Sequence, residues 1–506
     1  MTTPANATED GGREPATMSV RGAAVWAMAG QYLSFAIQFL TSVIISRFFL
    51  TPAEVGLFSV ALAAALIASV LQDFGLSRYV AGLPRIGPKD IARCSSVALA
   101  FSFVVAGIIA AAAWPMAQAY HEPAMAPILL IIAASYLFIP FAVVPMALLG
   151  RTMSFKGHFT INVGGAVPQG VVALALAAAG FSAFALAWAT LANGAARGII
   201  AQLLRPALPW PLRFGGIRPI VHTGSRLTTL YGIGALGSRT PDMVVGKILG
   251  LLAVGLYSRA ASLSDQFRML ISGAIGSVFY PAFARIRDRG EPLGPAYLRV
   301  CAGYSAVVWP GMAGLALAAE PIVRILYGEV WSGVAPLLTM IGLTEIMLVA
   351  LPLHVDLPIL LGRASRLLVF SAIDTSLSIL LLIAGCQWGA EGAAASRLAY
   401  GAAWFLLYAR FLHGLVQFDV RRLAAIYARS LAVTLAAIAP LAATYLFWAP
   451  PAEIGLLELF AATLAGGIAW LLTLALLRHP AFGDLIGLAA HLPLAHRIPA
   501  LAAMRN

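Results

Sequence analysis

Charge is scarce in this sequence. Only 11% of its 506 residues are Asp, Glu, Lys or Arg, against roughly a quarter in an ordinary soluble domain. That shortage excludes a water-facing globular surface. Cysteine is scarcer still. Cys94, Cys301 and Cys386 lie at or within apolar runs without paired spacing, which excludes a disulfide framework and a cysteine metal site. Catalytic signatures are missing too: there is no phosphate loop, no GxSxG and no HExxH. No stretch between apolar runs is long enough to fold as a catalytic domain. The sequence reads as a non-enzyme, with no cofactor and no metal.

What is present is apolar. Hydrophobic residues make up 60% of the chain and the mean hydropathy is +0.87. Such a chain needs a bilayer as solvent. In hydrocarbon every backbone polar group must be satisfied internally, which leaves helices or closed barrels. The apolar runs are about twenty residues or longer, which matches helices rather than barrel strands of about ten. The reading is an all-α integral membrane protein of about fourteen spans. The first eighteen residues are polar and mixed in charge (Glu9, Asp10, Arg13, Glu14). Residues 1–20 read as a disordered cytoplasmic tail.

The net charge is +12. In a soluble protein this would suggest nucleic acid. Here it follows from cations gathered in alternate loops: Arg78, Arg85, Lys89 and Arg93; Arg151 and Lys156; Arg205, Arg213 and Arg218; Arg285, Arg287 and Arg289; Arg363 and Arg366; Arg421 and Arg422. The intervening loops hold mostly Glu, for example Glu54, Glu122 and Glu453. Cytoplasmic loops are the basic ones, so the pattern places both termini in the cytoplasm and predicts an even number of spans. It implies a bacterial inner-membrane protein whose surroundings are membrane lipids, with no nucleic-acid partner. Residues 479–506, with His479, His491, His496, Arg497 and Arg505, read as a second cytoplasmic tail.

Two passages repeat. Ala53-Glu-Val-Gly-Leu-Phe-Ser59 and Leu252-Ala-Val-Gly-Leu-Tyr-Ser258 each follow a cation, Arg47 and Lys247. Six predicted spans separate them, so both halves share one orientation. This predicts a six-helix lobe over 21–205, a second over 218–413 and two further helices over 426–478. In-span glycines and prolines such as Pro140, Pro168, Pro310 and Pro440 fit moving lobes, and also the ordinary tolerance of membrane helices for both residues.

Several polar residues fall inside spans. Gln31, Ser34, Gln38 and Thr41 recur at helical spacing on the first. The seventh holds Arg226, Arg239, Asp242 and Lys247, and the eighth Arg259, Asp265 and Arg268. Glu345, Asp356, Asp374 and Arg397 follow. Each has a plain structural reading: Arg239 with Asp242, and Asp265 with Arg268, are three apart and able to pair on one helix. Together, however, the seventh and eighth spans carry five cations against two acids. Intramembrane cations need a counter-charge, which an anionic substrate supplies, and arginine suits phosphate oxygens.

Four passages carry a resemblance. Phe49-Leu-Thr-Pro-Ala-Glu-Val-Gly-Leu-Phe-Ser59 resembles the start of the second helix in bacterial polysaccharide flippases. Asp242-Met-Val-Val-Gly-Lys-Ile-Leu-Gly-Leu-Leu-Ala-Val-Gly-Leu-Tyr-Ser-Arg259 resembles their junction between helices seven and eight. Phe279-Tyr-Pro-Ala-Phe-Ala-Arg285 and Glu320-Pro-Ile-Val-Arg-Ile-Leu-Tyr-Gly-Glu-Val-Trp331 continue the match. The chain resembles the Wzx-like flippases of lipid-linked oligosaccharides, in the superfamily that also holds multidrug exporters and the lipid II flippase. The resemblance implies a V-shaped alternating-access transporter moving an undecaprenyl-diphosphate-linked oligosaccharide outward for exopolysaccharide, capsule or O-antigen assembly. A polysaccharide polymerase and export machinery are the implied partners. Arg259 lies on the matching motif and ranks first as a substrate contact. Arg47 precedes the equivalent motif; Arg239, Lys247, Arg268 and Arg397 follow by position, with Gln31 and Gln38 for the sugar. Asp374, Asp242 and Glu345 are the candidates for ion coupling. The alternatives are a drug exporter of the same fold, which would favour an acidic cavity, and a polysaccharide polymerase, which would need a large external loop.

Overall fold

The computed structural model describes residues 20–483 apart from 74–75, 77–78, 81–82, 84–85 and 277–278. The tail expected at 1–20 (except Val20), residues 484–506 of the second tail, and the loop cations Arg78 and Arg85 lie outside the described residues. Every regular element among the described residues is helical. The physical reason is the one that excludes strands in lipid: a helix closes its own hydrogen bonds.

Among the described residues the first eight helices with assigned bounds are α1 (Val20–Phe48), α2 (Pro52–Ala68), α3 (Val70–Asp73), α4 (Pro88–Tyr120), α5 (Met125–Tyr136), α6 (Pro140–Arg151), α7 (Phe155–Ala178) and α8 (Ala183–Leu204). Next come α9 (Arg218–Leu249), α10 (Leu251–Gly276), α11 (Phe279–Asp288), α12 (Leu293–Leu317) and the short α13 (Ala319–Tyr327). The last are α14 (Val334–Leu348), α15 (Asp356–Leu360), α16 (Ala364–Gly385), α17 (Gly389–Val416), α18 (Val420–Phe447) and α19 (Leu456–Leu476).

By length and composition, nine helical stretches among the described residues suit a bilayer crossing, or ten with the bent pair α5–α6 taken as one. That pair bends by 41°. Pro140 opens α6; it has no N–H to donate and its ring clashes with the carbonyl four residues back, so the helix cannot run straight through it. One of the nine stretches, residues 364–416, contains both α16 and α17, separated by the 3-10 turn Cys386–Trp388. The elements outside this count have physical reasons for it. Helices α9 and α10 are 32 and 26 residues long but carry the clustered charges, and α14 has only 15 residues. The chain is a multi-pass membrane protein.

Two compact units divide the chain. The first comprises residues 1–42, 68–113 and 126–228; the second comprises 43–67, 114–125 and 229–506. In the first, Leu76, Cys94, Val97, Val144 and Leu148 form one buried cluster. In the second, Tyr297, Leu351, Trp404, Tyr408 and Leu412 do so. The start of the expected C-terminal tail belongs to the packed structure. Buried His479 accepts from the Ala481 N–H, and its Nε2 bonds the Ser430 hydroxyl, so 479–483 lies against the helices.

Candidate functional site

The two repeated motifs meet each other within the second unit. Gly56 of α2 lies against the backbone at Leu251, and Gly255 of α10 against the backbone at Pro52. A Cβ on Gly56 would stand 1.9 Å from the Leu251 carbonyl oxygen, and one on Gly255 1.8 Å from that of Pro52. The contact is reciprocal, as a repeat-related pair should be, and only glycine leaves room for it. Three residues on, Ser59 and Ser258 face each other with hydroxyl oxygens 3.0 Å apart.

The cations that precede the motifs act reciprocally too. The Arg47 guanidinium donates to the carbonyls of Arg324 and Ile325 in the last turn of α13. The Lys247 ammonium donates to the Ala119 carbonyl in the last turn of α4. Both sit at helix C-termini, where the helix dipole favours a positive charge. Tyr120 of α4 donates to the Met243 carbonyl at 2.7 Å, and the Trp331 indole N–H to that of Ser46 at 2.7 Å. Arg259 is stacked between rings, 5.4 Å from the Tyr327 centroid and 5.3 Å from Trp331. The structure thus gathers Arg47, Lys247 and Arg259 at this junction and engages each with protein groups.

A second set of expected residues converges inside the bundle of the same unit. Arg268 reaches Glu345 of α14 through Nε at 3.0 Å and Asp265 of its own helix through Nη2 at 2.9 Å. Glu345 is buried, at 5% exposure, while Asp265 is exposed. Arg397 of α17 lies 3.5 Å from the Tyr257 hydroxyl and within electrostatic reach of Asp242 and Glu345. Asp374 of α16 accepts from the Tyr400 hydroxyl at 2.8 Å. Arg239 sits exposed on α9, within reach of Asp242. In this bundle Arg239, Arg268 and Arg397 meet three acids, Asp242, Asp265 and Glu345, while Asp374 is answered by Tyr400. Glu345 from α14 thus answers Arg268 of the eighth span, and the three arginines and three acids that meet in this bundle are balanced.

The first unit is electrostatically different. Residues 126–228 contain no Asp or Glu, yet hold Lys156 and six arginines. Outside the N-terminal tail, its acids are Asp73 and Asp90, and Asp90 pairs with Arg93 at 3.4 Å. Gln31 and Gln38 are exposed on α1, while Thr41 on the same stripe packs at Gly170 of α7. Sequence reasoning passed over one cation here, Arg197 of α8, together with the amides Asn162, Gln169 and Asn193. The usable signal was the acid-free stretch around an arginine within an apolar helix.

Comparison with known proteins gives a consistent set. A model of the family described as "Polysaccharide biosynthesis protein" matches residues 44–336, more than half of the chain. The lipopolysaccharide biosynthesis protein WzxC of Escherichia coli strain K12 is 23% identical over 294 residues, 57% of this chain and 59% of that protein. The succinoglycan biosynthesis transport protein ExoT of Rhizobium meliloti strain 1021 is 24% identical over 365 residues, 68% of this chain and 69% of the relative. Among solved structures, the lipid II flippase MurJ in an inward closed conformation superimposes with a TM-score of 0.71 at 13% identity, over 91% of this chain and 100% of that one. An inward-facing multidrug resistance transporter of the MATE family gives 0.56 at 14% identity, over 79% and 100%. The chain has the fold shared by these transporters.

Proposed function

The chain belongs to the polysaccharide biosynthesis protein family, and from that premise we propose that it is a flippase. Its cargo is an oligosaccharide repeat unit linked to undecaprenyl diphosphate. The direction is from the cytoplasmic to the periplasmic leaflet of a bacterial inner membrane, for exopolysaccharide, capsule or O-antigen assembly. The chain acts as a carrier, not a catalyst, and hands its cargo to a polysaccharide polymerase and export machinery. Two six-helix lobes, residues 21–205 and 218–413, expose the cargo alternately to either face, with the helices of 426–478 beside them and both termini in the cytoplasm.

The charge of the first unit carries the choice of cargo. Between residues 126 and 228 there is no carboxylate; five of the seven cations lie in the basic loops or at the helix ends beside them, and Arg197 and Arg226 lie within helices, an intramembrane charge that suits a diphosphate and repels a cationic drug. The relatives' names agree: one is a biosynthesis transport protein, and a protein of this fold is a lipid II flippase. Within the balanced bundle, Asp374, Asp242 and Glu345 are the proposed coupling groups. Arg239, Arg268 and Arg397 are proposed for the diphosphate, and Gln31 and Gln38 for the sugar. Arg47, Lys247 and Arg259 remain proposed cargo contacts that must exchange their present partners for it. Depleting the protein in its host should lower polymer output several-fold while diphosphate-linked repeat units accumulate on the inner leaflet. Unchanged polymer and no accumulation would contradict the assignment.

A further inference from the structure

Arg197 lies on α8, facing α7 within the first unit. Its Nη2 is 3.4 Å from the Asn162 amide oxygen and 3.5 Å from the Met146 sulfur. Its Nε–H is buried and donates to no partner among the described residues. Its methylene stem lies over Gly165, where a Cβ would come within 2.3 Å of Cγ. One helical turn away, Asn193 donates to Gln169 at 3.0 Å, so a line of amides continues along the same seam.

Among the described residues no carboxylate answers this charge. Among the described residues, Arg197 forms no ion pair, and the surrounding stretch from 126 to 228 contains no acid at all. An arginine deep in a membrane helix costs about 2.5–3.5 kcal/mol on insertion scales. Long, weak contacts to an amide and a thioether offset little of that. Arg268 of the second unit, by contrast, receives both Glu345 and Asp265. A stem seated on glycine and a guanidinium lacking a counter-charge describe a group prepared for an anion that arrives.

We propose that Arg197, aided by Asn162, is a phosphate-binding site in the first unit, and that its ligand is the diphosphate of the lipid-linked cargo. The identity of that ligand rests on the flippase reading; the phosphate chemistry does not. The planar guanidinium offers paired donors to neighbouring phosphate oxygens, which an ammonium cannot reproduce. The amides Asn193 and Gln169 extend the seam toward hydroxyl groups.

The test uses the full chain in nanodiscs of zwitterionic phosphatidylcholine. The probes are sugar-free polyprenyl diphosphate and phosphatidylglycerol, and the variants are Arg197→Met, Arg197→Lys and Asn162→Ala. Thermal unfolding is followed with and without each probe. Without probe, Arg197→Met should melt at or above the wild-type temperature, because it removes an uncompensated desolvated charge. With polyprenyl diphosphate it should bind about 10- to 100-fold more weakly, the scale of lost charge-assisted hydrogen bonds. Arg197→Lys and Asn162→Ala should fall between, and phosphatidylglycerol should be indifferent to all three. If phosphatidylglycerol alone binds and alone depends on Arg197, the phosphate site stands and the flippase reading fails. If polyprenyl diphosphate binds wild type and Arg197→Met equally, the site is overturned and the flippase reading stands. An Arg197→Met protein that melts several degrees lower and keeps its ligand response also overturns it, showing an arginine that only packs. Absence of binding by either probe overturns both.

Discussion

Valine at Gly56 or at Gly255 is expected to break the junction between the repeated motifs and to reduce transport at least tenfold. The obstacle to a side chain is backbone: the Leu251 carbonyl for one glycine, the Pro52 carbonyl for the other. A flexible neighbour could rotate away, but a carbonyl within a helix moves only with its helix. Overpacking against adaptable side chains already costs about 1–3 kcal/mol. Near 3 kcal/mol, the population holding this contact falls about 100-fold. The reporter is built into the motif. Ser59 and Ser258, with hydroxyls 3.0 Å apart, replaced together by cysteine, should form a disulfide under mild oxidation in a background with Cys94, Cys301 and Cys386 changed to alanine. Adding Gly56→Val should cut that yield at least tenfold. Gly107→Ala, where a new Cβ meets nothing within 4 Å, should leave yield and transport unchanged. Efficient cross-linking in the Gly56→Val background would show that the close approach is dispensable.

Loss of Trp331 should produce the largest drop in stability. The indole is fully buried at 0% exposure, packs beside Tyr327 with centroids 6.0 Å apart, and donates to the Ser46 carbonyl. Trp→Ala at such a site costs about 3–5 kcal/mol through lost burial and the cavity left behind. The orphaned carbonyl adds about 1 kcal/mol. Arg259 also loses one of its two aromatic faces, worth about 0.5–2 kcal/mol. Trp331→Phe keeps most of the volume but no N–H, and should recover more than half of the loss. Unfolding in detergent separates the cases. A Trp331→Ala protein melting within a degree of wild type would mean that the ring supports nothing.

The helical class, the membrane and the repeat were legible because each is written locally: in apolar run length, in the alternation of loop cations, in seven similar residues. The partner of the repeat was not legible. That Gly56 meets Gly255 and that Ser59 meets Ser258 are facts about residues about two hundred positions apart. The same blindness affected the charges. Counting α9 and α10 alone leaves cations over, whereas Glu345 arrives from α14 to pair with Arg268. Arg259 stood out because it sits on a motif, yet its surroundings, Tyr327 and Trp331, come from a later segment. Arg197 illustrates the reverse error. It lies in an apolar helix with no motif, and only the lack of any acid nearby, combined with the packing on Gly165, sets it apart. Within α9 and α10 the clustered charges lower the apolar signal, which is why length and composition alone leave these two helices out.

The most direct measurement is transport in proteoliposomes holding the purified chain and a labelled polyprenyl-diphosphate oligosaccharide, with label accessibility followed on one leaflet. The account predicts protein-dependent movement of that lipid, lost in Gly56→Val and strongly slowed in Arg197→Met, and no movement of a cationic dye. Movement of the dye with the diphosphate lipid left in place would contradict it.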